Sequence, residues 1–181
     1  WENHWQDILY YTSPNMRDVI TERTPGSKKG VYLFDSTAMN SCEMLTSALH
    51  GMLTNPNTLW FELLASQSAL NDIEDVTQYL QQFTEKTHRL LNNSNFQTEV
   101  HQFYLDLCTI GTAIMTIEPN PDTIFHFSTR HIAECVIAEN NLGRVEELHR
   151  KFKWTAKQIL QEYVGDHFEE KDLGQLLKTK R

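Results

Sequence analysis

Residues 94–127, SNFQTEVHQFYLDLCTIGTAIMTIEPNPDTIFHF, decide how the rest of the chain is read. In the first half, Phe96, Val100, Phe103, Leu107 and Ile110 recur at three- and four-residue steps, which is one face of an α-helix, and Ser94 can cap it. After Gly111 the pattern changes. Residues 113–117 and 123–127 are short and rich in β-branched and aromatic side chains, so they read as strands. Glu118, Pro119, Asn120, Pro121 and Asp122 separate them as a turn.

Working back from Ser94, Asn92 and Asn93 interrupt an earlier helix whose apolar face holds Ile73, Val76, Leu80, Phe83, Leu90 and Leu91. A break this short implies two neighbouring helices packed as a hairpin. Residues 59–64 (LWFELL) read as a strand, and Asn55-Pro56-Asn57 closes the helix before it. That helix, of about four turns, carries Cys42, Leu45, Leu49, Met52 and Leu53 behind the capping residues Asp35, Ser36 and Thr37. Residues 31–34 form a brief extended stretch after the loop RTPGSKKG, and Trp1, Trp5, Ile8 and Leu9 mark a short helix stopped by Pro14.

Working forward, 135–138 and 145–154 read as two more strands joined by Asn140-Asn141-Leu142-Gly143, whose Asn and Gly tolerate positive φ. In the second of these, Phe152 and Trp154 alternate with Lys151 and Lys153. Thr155 and Gln158 form a capping box for a helix running to Gly165, and a weaker helix covers 171–178. The fold class is therefore α+β, with several amphipathic helices flanking a small, mainly antiparallel sheet. Residues 1–154 are expected to form the α+β domain and 155–181 a helical segment after it. Both ends read as cut from a longer chain, although processed termini would look the same.

Composition narrows the function. Of the 181 residues, 40% are hydrophobic, enough for a sizeable core. Sixteen Lys and Arg against twenty-four Asp and Glu leave a net charge of −8. Such acidity disfavours gripping DNA by counterion release, or binding an anionic membrane, but allows the chain to surround DNA without holding it. No apolar run approaches the roughly 18 residues that span a bilayer, so no membrane partner is expected. The cysteines, Cys42, Cys108 and Cys135, are far apart and form no C-x-x-C pair, which suits a reducing compartment and buried thiols.

Chemistry-bearing patterns are missing. The sequence has no G-x-S-x-G elbow, no protease-like cysteine context and no phosphate-binding glycine loop, since 26–30 (GSKKG) lacks that spacing. The eight histidines include no H-x-x-x-H or H-E-x-x-H spacing; His126 and His131 lie five apart, and His88 and His101 fall on different helices. Glu146-Glu147 and Glu169-Glu170 read as charged surface. Asp72, Glu74 and Asp75 sit where a helix dipole favours acids. Trp60-Phe61 is either a ligand platform or partner-binding edge, or, with the larger share, half core and half interface. No catalytic, cofactor-binding or metal-binding residue is assigned; nucleic-acid-binding residues stay open, and no cofactor is expected.

Several segments matter by their order. They are the opening helix from Trp5 to Pro14, then Asp35-Ser36-Thr37-Ala38 with its helix. Asn55-Pro56-x-x-Leu59-Trp60-Phe61 follows. Next come Ser94-Asn95-Phe96, Tyr104-x-Asp106-Leu107 and Gly111-Thr112-Ala113. The hairpin around Glu139 to Val145 and the Thr155-x-x-Gln158 helix start complete the series. Taken in this order across roughly positions 5 to 164, they resemble the portal proteins, the head-to-tail connectors of short-tailed bacteriophages. The resemblance implies an N-terminal, wing-region portion of a longer structural virion protein without catalytic activity. Such proteins form a homo-oligomeric ring, usually of twelve subunits, at one capsid vertex. Double-stranded DNA passes through it during packaging and ejection, driven by a separate terminase motor, with capsid and tail proteins as neighbours. Assembly in the bacterial host cytoplasm and residence in the virion follow, from a virus or a prophage. Stem, clip and channel wall are expected mostly beyond Arg181. The Lys28-Lys29 loop and the tail from Lys178 to Arg181 can meet DNA or neighbouring subunits, although solvated surface is the plainer state for both. Two other readings stand beside this one: an unrelated scaffold or adaptor domain, and a hydrolase whose histidines only the fold assembles.

Overall fold

A computed structural model describes residues 1–163 apart from Glu22 and Pro25. The expected continuation to Gly165 and the helix over 171–178 lie outside the described residues. The chain divides into two compact units, Trp1–Cys135 and Val136 onward.

The first unit is built around α4 (Phe96–Ile110). Its inward residues Phe96, Val100 and Tyr104 follow one another at four-residue steps and join Phe127 in the core. Leu49, Leu91, Phe103, Met115 and Phe125 pack around them. Gly111 ends the helix in the left-handed region, at φ 80°, where its lack of a Cβ avoids strain. Leu107, expected inside, is largely exposed because the buried line drifts to Asp106 and Thr109 at this end.

α2 (Thr37–Leu53) and α1 (Glu2–Thr12) pack on α4, and α4 lies more extensively against α2 than against α3 (Glu74–Asn93). In α2 the face toward α4 is Cys42, Thr46, Leu49 and His50, rotated from the expected stripe, so Leu45, Met52 and Leu53 remain exposed. In α3 the buried residues are Thr84 and His88, flanked by Leu80 and Leu91, while Ile73, Tyr79 and Phe83 point outward. Each apolar stripe is wider than the surface the single chain offers it.

Strands β1 (Ile114–Asn120) and β2 (Ile124–Arg130) pair antiparallel from Ile114↔Arg130 to Asn120↔Ile124. They run further than the sequence suggests, because Pro119 pairs opposite Phe125 and only 121–123 turn. Asn120 Oδ1 accepts the Asp122 N–H at 2.8 Å, and Ile124 takes φ 70°. The free edge of β2 is closed by α4 side chains. Asn95 donates to the Phe127 carbonyl at 2.7 Å and accepts its N–H at 2.9 Å, and Glu99 accepts the Thr129 N–H at 2.6 Å.

The strand expected over 59–64 is absent among the described residues, and the extended stretch expected at 31–34 is bent. Residues 31–34 form a turn in which Leu33 N–H donates to the Gly30 carbonyl. Residues 59–64 run irregularly along α3, with Leu63 N–H donating to Thr84 Oγ1 at 3.3 Å. Neither finds a neighbouring strand, and strand propensity alone supplies no partner.

In the second unit, β3 (Cys135–Glu139) and β4 (Val145–Arg150) form another two-stranded ribbon. Asn140 organises the turn by accepting the Leu142 and Arg144 N–H groups on Oδ1. β4 ends at Arg150 rather than Trp154; there the Arg150 guanidinium lies over the Phe152 ring at 4.5 Å, and Phe152 packs on Trp154. The capping box is present, with Thr155 N–H donating to Gln158 Oε1 at 2.9 Å at the start of α5 (Ala156–Tyr163).

Candidate functional site

Trp60 and Phe61 are the point where the core meets an open cleft. Trp60 stacks on Phe96 with ring centroids 6.0 Å apart and planes 7° from parallel, and Phe96 meets Phe127 edge-on at 5.0 Å. Phe61 packs edge-on against Trp60 and lies beside His88. The other side of this pair borders a cleft of about 500 Å³, shared with Leu59, Glu62 and the α3 residues Thr84 and Glu85. The pair thus bridges the core residue Phe96 and the cleft.

A polar relay ties the neighbouring elements together. His50 Nε2 lies 2.7 Å from Gln97 Oε1, Gln97 donates to Asn92 Oδ1 at 2.8 Å, and Asn92 donates to the Pro56 carbonyl at 2.9 Å. This joins α2, α4, α3 and the turn before Trp60. Glu62 and Glu85 stand exposed on the rim, Glu85 near Arg89 at 3.5 Å. The cleft thus offers an aromatic and aliphatic body with acidic edges.

The histidines are not gathered into one site. His50 and His101 rings lie 5.8 Å apart, with Glu43 3.4 Å from His101. His88 is buried on α3 with Nε2 unpartnered. His126 is exposed on β2, and His131 accepts the Ala133 N–H on Nδ1. Burial and the nearby Arg17 lower the His131 pKa, favouring the neutral ring. Among the described residues no three His, Cys, Asp or Glu groups converge to hold a metal ion. Glu74 and Asp75 occupy the first turn of α3, in keeping with the dipole reading.

One acid enters the sequence reading only within the Tyr104-x-Asp106-Leu107 segment. Asp106 is buried in α4 with Gln102 as its hydrogen-bond donor at 3.0 Å, and burial pushes its pKa up to about 6 against that bond. It falls off the stripe of Phe96, Val100 and Phe103, so periodicity gave no signal for it.

The sequence model of a family described as bacteriophage head to tail connecting protein matches residues 1–181. A probable portal protein of Bordetella phage BPP-1 is 28% identical over 167 residues, covering 92% of this chain and 30% of that protein. The portal protein of Salmonella phage epsilon15 is 23% identical over 167 residues, with the same shares covered. The chain thus spans about a third of the length of these relatives.

Proposed function

Since the chain belongs to the family of bacteriophage head-to-tail connecting proteins, we propose that it acts as a structural part of a portal, the ring at one capsid vertex through which DNA is packaged and ejected. The observation that carries this reading is the family match over the whole chain, residues 1–181. Residues 1–154 serve as the wing-like part of the subunit, and residues 155–181 follow it as a helical segment. The ring is a homo-oligomer, of twelve copies in the complete protein, contacting capsid, tail and terminase proteins. It is assembled in the host cytoplasm and remains in the virion.

The physical character of the surface supports a subunit over a free-standing domain. Only Leu9, Phe96, Val100, Tyr104 and Phe127 are buried as apolar side chains among the described residues. Apolar residues of α2 and α3, of 31–34 and of β3 and β4 stay accessible. Exposed apolar surface of this extent marks sites of association. The role is mechanical and needs no catalytic residue; energy for DNA movement comes from the terminase. Among the described residues no helix is long and apolar enough to cross a membrane.

Electron microscopy of the purified gene product carrying this chain tests the reading. Closed rings with a central opening are expected, and a monodisperse monomer at high concentration would refute it. The histidine-based hydrolase is not favoured by any observation, and metal analysis showing stoichiometric zinc or iron would revive it.

A further inference from the structure

Two stretches of the first unit have strand-like composition and, among the described residues, no strand to pair with. Residues 59–64 carry Leu59, Trp60, Phe61 and Leu64, and residues 31–34 carry Val31, Tyr32 and Phe34. Their surroundings differ in charge. The first lies on the cleft whose rim is Glu62 and Glu85. The second follows Lys28 and Lys29, and its Phe34 is 92% exposed and Tyr32 71% exposed. Lys29 pairs with Asp18 at 3.3 Å, whereas the Lys28 ammonium has no ion-pair partner among the described residues.

The protruding stretch is anchored at its base. Gln6 on α1 accepts the Val19 N–H at 2.7 Å and donates to Asp18 at 3.0 Å. Asp18 also binds Arg23, and Tyr10 Oη accepts the Tyr32 N–H at 2.9 Å. Burial alone would raise the Asp18 carboxyl, but hydrogen bonds from Gln6, Arg23 and Lys29 hold it below its usual range and therefore charged. The Tyr32 N–H is tied to Tyr10 and the Leu33 N–H to Gly30 while the Tyr32 and Phe34 side chains face solvent, which lowers the ordering cost of docking.

We infer that residues 28–34 of one copy dock into the Trp60 cleft of the next copy, Phe34 and Tyr32 entering against Trp60 and Leu59 and Lys28 meeting Glu62 and Glu85. The proposal rests on the ring reading and names the surfaces that make the ring. Three facts select this occupant. Its aromatic rings suit a cleft walled by Trp60, Phe61 and Leu59, where offset or edge-on packing adds to burial. Its lysine adds positive charge to a rim where Glu85 has Arg89 at 3.5 Å and Glu62 has no ion pair among the described residues. Its surface lies on the same chain as the cleft but is a different patch, so the contact is head-to-tail, the kind that closes into a ring when the rotation between copies permits.

The test uses the gene product carrying this chain, with assembly measured by native mass spectrometry over a concentration series. Phe34→Ala and Lys28→Glu are each expected to raise the concentration for half-assembly about tenfold or more, as loss of a central aromatic or charged contact does. Thermal unfolding of the monomer should not change, since both side chains project into solvent. Combining Lys28→Glu with Glu62→Lys and Glu85→Lys reverses both sides and is expected to restore assembly. Rings unaffected by Phe34→Ala and Lys28→Glu would overturn this contact while leaving the ring intact. Unfolding of the monomer by Phe34→Ala would overturn it too, since the ring would then belong to the core. A wild-type protein that forms no ring would instead remove the reading on which the contact rests.

Discussion

Asp106 is an acid held where an acid is costly. Its carboxyl is buried, receives one hydrogen bond from Gln102, and titrates near pH 6 instead of near 4. Because its folded-state pKa is raised, the neutral form fits the site. The stability it permits is complete below pH 4, declines as pH rises through 6, and is then lost by a constant amount. Asp106→Asn keeps the shape and removes the charge. It should stabilise the protein by about 1–3 kcal/mol at pH 7 and by little at pH 4, read from urea unfolding at both values. Taking the difference between variant and parent cancels the opposite trend of His131, whose pKa is lowered. A second strained residue is Ile124, a β-branched side chain at φ 70° beside the 121–123 turn. Ile124→Gly should stabilise by about 0.5–1 kcal/mol, since relief of left-handed strain outweighs the added freedom of the unfolded chain. A lowered melting temperature would contradict that account.

At the scale of elements, local patterns in the sequence were reliable where one residue carries its own structural reason. Pro14 beyond the end of α1, Gly111 after α4, Asn140 and Gly143 in the second hairpin, and the Thr155 and Gln158 box all stand where their chemistry placed them. The strand expected over 59–64 and the extended stretch expected at 31–34 were misread because strand propensity describes a half-buried surface and requires a neighbour that composition does not supply. The helical stripes of α2 and α3 were too broad for the same reason: periodicity shows which residues are apolar, not which of them this chain covers. The Trp60-Phe61 pair was legible as a boundary, but Glu85, which completes the rim beside Glu62, came from a helix more than twenty residues away. Invisible altogether was the clamp between α4 and β2, since Asn95 and Glu99 look like ordinary polar positions in the first turn of a helix. Asn95→Ala strips both backbone partners from Phe127. It should cost about 1–3 kcal/mol in urea unfolding. Faster hydrogen exchange at Thr129, the next clamped amide, should accompany it; unchanged stability would show that water replaces the clamp at no cost.

At the scale of the molecule, a small apolar core and large accessible apolar faces make sense when the chain works as one member of an assembly. α4 and the β1–β2 ribbon form the well-packed centre of the first unit, and the surfaces left open are those that neighbours can bury. The proposed portal role gives those faces neighbours, and the proposed contact pairs residues 28–34 with the Trp60 cleft. The decisive measurement is the native mass of the purified gene product carrying this chain. A single dominant species at a closed multiple of the subunit mass, twelve being the expected number, is the predicted result. A mass equal to one subunit across the full concentration range would contradict it.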